Sequence, residues 1–122
     1  MSSIMSQEPP AEFKRPSRVF VSNLGWHDYT AAERYGTLVP LTEARLDYRH
    51  TDRIREQLIS RLADFDPDTD YILLSGMPPL AFEIAAHLIK RFPKVKYLYW
   101  EPLMSDYLPR ETSGELHNAQ GK

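Results

Sequence analysis

Between Asp70 and Ser75 the chain reads Tyr71-Ile72-Leu73-Leu74, an apolar run with no charged or amide residue inside it. A strand with one wet face alternates apolar and polar residues, whereas a continuous apolar run marks a strand covered on both faces. Such a strand needs a partner strand on each side and material above and below. The remaining segments supply both. Val19-Phe20-Val21 is a short β-branched and aromatic run, read as the first strand. Thr30-Ala31-Ala32-Glu33 fits a capping box, with Gly36 at the position that closes a short helix. Leu38-Val39-Pro40-Leu41 is the second strand, and Pro40 sends it to a sheet edge because proline has no N–H to donate.

The next helix starts at Thr51 or Asp52 and repeats Ile54, Leu58, Leu62 and Phe65 at helical spacing. Asp64 to Asp70, with Pro67, ends it. After the central run, Ser75-Gly76-Met77-Pro78 forms a turn and Pro79 suits a first helical position. The third helix runs through Phe92, with Ala81, Ile84, Ala85, Leu88 and Ile89 expected inward, and Val95 to Trp100 makes a fourth strand. The order β-α-β-α-β-α-β predicts an α/β protein: a small three-layer Rossmann-like fold with a four-stranded parallel sheet in the order 2-1-3-4. At 122 residues and 14.2 kDa this is one domain. It is expected over residues 17–110. Residues 1–16, with Pro9, Pro10 and Pro16, are expected as a flexible tail and residues 111–122 as a polar one.

Charge and cysteine content narrow the partners. Fifteen Lys and Arg against 17 Asp and Glu give a net charge of −2, so the positive excess of a nonspecific duplex-binding protein is missing. Nucleic acid is therefore not the expected partner. Zero cysteines exclude a disulfide framework, a cysteine zinc site and a thiol nucleophile. Residues Met1 to Pro16 are polar and proline-bearing, without the apolar core expected of a signal peptide, and no run approaches the ~20 apolar residues that cross a bilayer. The expectation is a cytoplasmic protein with no membrane partner.

In an open parallel sheet ligands bind beyond the carboxyl ends of the strands, where the winding reverses. For the order 2-1-3-4 that point lies between the first and third strands. Two loops meet there: Asn23-Leu24-Gly25-Trp26-His27-Asp28-Tyr29 and Ser75-Gly76-Met77-Pro78. His27 and Asp28 are the acid–base candidates, although adjacent side chains in an extended loop usually point apart. Asn23, Gly25, Trp26 and Tyr29 line one wall as ligand-binding candidates; each also has a packing or turn role open to it. Ser75, Gly76 and Met77 form the other wall. Thr42 and Glu43, at the end of the second strand, reach toward a ribose or base edge. No G-x-x-x-x-G-K-[ST] and no G-x-G-x-x-G occurs, which disfavours P-loop hydrolysis and ordinary dinucleotide binding. Arg45, Arg49, Arg53 and Arg55 either meet a phosphate or form a solvated helix face. Asp47, His50 and Asp52 match no metal motif, so neither a metal nor a cofactor is expected.

The pattern Asn23…His27-Asp28-Tyr29-Thr30-x-Ala32-x-x-Tyr35-Gly36, followed by Leu38-Val39 and Thr42-Glu43, resembles a group of small uncharacterised proteins of tailed phages and mobile elements. The likeness continues through Asp70 to Gly76 and Leu98 to Glu101. The group has no settled activity, so the resemblance implies an origin and an architecture, not a reaction. That architecture is similar to small Rossmann-like proteins that bind or degrade nucleotide second messengers in antiviral defence, a likeness of fold only. The expected function is binding of a nucleotide or nucleotide-derived small molecule, by sequestration or by cleavage with His27 as acid or base. The competing expectation is an interaction module, binding a host protein or a second copy through Tyr97, Tyr99, Trp100 and Tyr107.

Overall fold

A computed structural model describes residues 16–25, 27–42, 49–75 and 78–112. The tails expected at 1–16 and 111–122 lie almost wholly outside the described residues. Strand β1 (Arg18–Val21) leads to a 3-10 helix (Thr30–Tyr35) and strand β2 (Thr37–Pro40). Helix α1 (Thr51–Arg61), strand β3 (Tyr71–Leu73) and helix α2 (Pro78–Arg91) follow, and strands β4 (Lys96–Glu101) and β5 (Asp106–Glu111) complete the described fold.

The result is a mixed α/β molecule on a five-stranded sheet in the order β2-β1-β3-β4-β5. This corrects the expected four-stranded, all-parallel sheet. β2, β1, β3 and β4 pair in parallel, but β5 returns antiparallel on β4, with Trp100 opposite Tyr107 and Leu98 opposite Pro109. The turn Pro102–Ser105 makes the return possible, with Ser105 at φ 48. Pro109 is tolerated because β5 is an edge strand whose outward groups need no ladder partner. Thr112 extends the zipper past β5: its N–H donates to the Val95 carbonyl and its hydroxyl accepts from the Val95 N–H.

The layers on the two faces of the sheet are unequal. On one face Phe20 and Ile72 meet Leu58, Leu62 and Phe65 from the α1 region and Leu80, Ile84 and Leu88 from α2. On the other, Val19, Val21, Leu73 and Leu98 are covered by Tyr29, Ala32 and Tyr107. A 3-10 helix and an aromatic loop thus do the work of a full helical layer. Two further expectations change. Leu74 lies beyond β3 and is exposed, and Ile89 faces outward because α2 buries the Leu80-Ile84-Leu88 stripe. The capping box does not form either: Tyr29 is the N-cap without a side-chain bond, and Asp28 takes the Thr30 N–H and hydroxyl instead. An aspartate two residues before an N–H competes well for it.

One carboxylate ties the amino ends of the central strands together. Asp70 is fully buried and accepts from the Arg18 N–H at 3.0 Å, the Arg18 guanidinium at 3.0 Å and the Asp66 N–H at 2.9 Å. Arg18 also reaches Asp64, and its guanidinium lies over the Phe20 ring. Asp70→Ala removes the acceptor and leaves these donors facing the core, so a loss of about 3 kcal/mol is expected in denaturant melts. That is the low end for breaking a buried pair, because Arg18 keeps Asp64. A midpoint within experimental error of the parent's would contradict this account.

Gly36 ends the 3-10 helix where the chain turns into β2. A Cβ there would sit 2.6 Å from the Ser17 carbonyl oxygen and 2.9 Å from the Arg18 nitrogen. Both are backbone atoms held in place, since Thr37 N–H bonds that same carbonyl. Gly36→Ala is therefore expected to cost about 1–3 kcal/mol, as overpacking does, by calorimetry or urea titration.

Candidate functional site

The carboxyl ends of β1, β2 and β3 are joined by a buried polar cluster. The Ser22 N–H donates to Leu73 O, and the Ser22 hydroxyl accepts from the Ser75 N–H at 2.8 Å. The Ser75 hydroxyl donates to Asn23 O at 2.8 Å. Thr42 accepts from the Asn23 amide at 2.9 Å and donates to Ser22 O at 2.6 Å. Ser22, Asn23 and Thr42 are all buried. The structure therefore does bring Asn23, Thr42 and Ser75 together across strands, and much of their hydrogen-bonding capacity holds the strand ends. Gly25 adopts φ 50, with the Asn23 side-chain oxygen 3.3 Å from where a Cβ would stand. Trp26, Glu43, Gly76 and Met77 lie outside the described residues, as do Arg45 and Asp47.

Beside this cluster a groove of about 680 Å³ opens between the loop after β1 and the β4–β5 hairpin. His27, Asp28 and Tyr29 line one side, Leu73, Leu74 and Ser75 the floor. The far wall includes Leu98, Trp100 and Tyr107. The 3-10 helix reaches across this face as far as β5, where Arg34 and Tyr35 donate to the Tyr107 carbonyl, and the groove opens beside that contact. A chain of rings runs along it: His27 to Tyr29 at 5.8 Å between centroids, Tyr29 to Tyr107 at 6.4 Å, and Tyr107 to Trp100 at 5.0 Å, edge on. Contacts of this kind add to the area the rings bury. Tyr29 and Tyr107 are buried in this chain, so Tyr107, counted in the sequence among exposed aromatics, belongs to the core. Trp100 stays 48% exposed.

A second opening of about 650 Å³, flanked by Glu33, Arg34 and Thr37, lies at the opposite, amino end of the strands, away from these groups, and holds no convergent chemistry. Among the described residues no group of three His, Asp or Glu is placed to hold a metal ion, and no helix is long and apolar enough to cross a membrane.

The electrostatics of the groove come from two groups. Bonds from the Thr30 hydroxyl and N–H hold the Asp28 carboxyl below its usual range, so it is an anion at neutral pH. Burial, then the neighbouring Tyr29 and Asp28, push the Tyr107 phenol up, so it stays protonated. Both Thr30 donors fall on the same Asp28 oxygen, Oδ1, and Asp28 makes no hydrogen bond to the His27 ring.

The chain matches the family model described as Phage Pam3 gp32-like protein over residues 17–113. It belongs to that family. The matched stretch spans β1 to β5 and includes both walls of the groove. No curated protein and no solved structure matches the chain.

Trp100 and Tyr107 are among the groove residues that the sequence reading assigns to a different surface, and Ser22 is not among its candidates. The missing signal was a hairpin: strand, a four-residue turn, then Tyr107 and Leu108 in register. Pro109 obscured it.

The Asp28 assignment is testable by carboxyl NMR titration. Because its folded pKa is depressed, Asp28 favours the fold above its unfolded pKa, and that contribution is lost as pH falls through the folded value. Thr30→Val removes the larger cause, so the Asp28 titration should move upward toward an ordinary aspartate. An unchanged midpoint would mean that Thr30 does not set it.

Proposed function

We propose that this phage-family protein is a Rossmann-like binding protein for a nucleotide-derived small molecule, held by its base or nucleoside portion in the groove between His27–Tyr29 and the β4–β5 hairpin. The observation that carries this reading is the run of rings ending on the half-exposed Trp100, next to an ionised carboxylate. A planar heterocycle stacks on such a ring, and stacking is worth about 1–3 kcal/mol per base. Asp28 accepts from an exocyclic amine or a ribose hydroxyl. The described lining carries this one carboxylate and no Lys or Arg, so it suits the base and sugar better than a polyphosphate. Asn23, Thr42 and Ser75 serve by fixing the strand ends that frame the groove. The protein acts by sequestration; catalysis, if present, takes the form of hydrolysis with His27 as general acid or base.

Leu103 and Met104, exposed at the hairpin tip, favour a second reading, an interaction module that docks a protein through this edge. A thermal-shift panel of nucleosides, mononucleotides and cyclic nucleotides separates the two. At a hundred times Kd a bound ligand adds about 2.7 kcal/mol, a rise on the order of ten degrees for a domain this size. The rise should vanish in Trp100→Ala and shrink in Asp28→Asn, and His27→Ala should abolish any turnover. No shift from any compound at millimolar concentration rejects the ligand reading.

A further inference from the structure

Helix α2 has two apolar faces, and the sheet uses one of them. Leu80, Ile84 and Leu88 point into the core. At about 100° per residue, Phe82, Ala86 and Ile89 fall on the opposite side, with Ala85 at its border. Phe82 is 76% exposed and Ile89 53% exposed. Isolated exposed apolar residues need no explanation, but a stripe at helical spacing on an outward face does.

We infer that this face of α2 is the interface of a homodimer, packed against the same face of a second copy in antiparallel fashion. Two features of the stripe select a second copy over an unrelated partner. First, its pattern is palindromic: large, small, small, large at positions 82, 85, 86 and 89. A two-fold axis crossing the helix between Ala85 and Ala86 sets Phe82 of each chain on Ile89 of the other, while the alanines let the backbones approach. A surface that is its own complement is what an isologous contact requires. Second, the charges obey the same operation. Glu83 and Lys90 are seven residues apart and so lie on the same flank of the stripe. The two-fold therefore brings Glu83 beside Lys90 of the second copy, twice. The Glu83 carboxylate is already oriented on that flank by Arg55, at 3.1 and 3.3 Å. The antiparallel arrangement also sets the basic last turn, Lys90 and Arg91, next to the other helix's amino end, so the two helix dipoles oppose favourably. This interface lies on the helical side of the sheet, and the groove lies on the other. Dimerisation and ligand binding are thus independent.

Sedimentation equilibrium of the full chain over a micromolar to submillimolar range tests the inference. The expected mass is twice 14.2 kDa in the upper part of the range. Ala86→Arg should leave the circular dichroism spectrum unchanged and the protein monomeric. Lys90→Glu, an exposed change that does not threaten folding, should weaken association at least tenfold, and adding Glu83→Lys should restore most of it. A monomer throughout the range overturns the inference. So does a dimer indifferent to both Ala86→Arg and Lys90→Glu, which would place the contact on another surface.

Discussion

The pairing of β1 with β3 is the constraint on which the other elements depend, and it is pinned at both ends by buried polar groups. At the amino end the Asp70 carboxylate holds the backbone and guanidinium of Arg18. At the carboxyl end the Ser22 hydroxyl receives the Ser75 N–H. Between them Val19, Phe20 and Val21 register on Tyr71, Ile72 and Leu73. A slip of one residue would turn Phe20 and Ile72 away from the helices and expose the wrong face everywhere. It would also strand the Asp70 charge without its donors. The polar anchors therefore supply register, while hydrophobic burial supplies most of the driving force.

From that register the groove follows. The helical face is filled by α1 and α2, but the loop after β1 is long and its helix is a single 3-10 segment. Such a segment covers β1 and β2 and touches β5 through Arg34 and Tyr35, and the groove stays open along β4. Aromatic side chains fill part of the deficit: Tyr29 and Tyr107 are buried and Trp100 is not. The polar cluster of Ser22, Asn23, Thr42 and Ser75 keeps the three strand ends together beneath this partly open surface. The groove's rigidity thus comes from hydrogen bonds, its apolar character from rings that lack a full helical cover.

Much of this arrangement was legible in the chain. The apolar run at Tyr71–Leu73 did become a strand with partners on both sides, and Pro40 did mark an edge. The helical periodicities at Leu58, Leu62, Phe65, Ile84 and Leu88 identified buried faces correctly, whereas Leu80, also buried, is not among the residues expected inward. Convergence of the loops after β1 and β3 followed from parallel connections alone. Three things were not legible. β5 was hidden because proline argues against a strand unless the strand is known to lie at an edge. Ile89 was assigned inward because an apolar residue at helical spacing does not reveal which of two apolar faces meets the sheet. The capping box was displaced because Asp28 sat closer to the Thr30 N–H than a glutamate folded back from the helix.

Local chemistry along the sequence determined the element types, the edge position of β2 and the residues that gather at the strand ends, because periodicity and proline act over a few residues. Tertiary structure alone decided that Asn23, Thr42 and Ser75 engage one another, and that Trp100 and Tyr107 complete the groove wall. The polar cluster depends on partners 19 to 53 positions away. No local rule reports whether a hydroxyl at that distance is spent on a neighbouring strand or left facing a ligand.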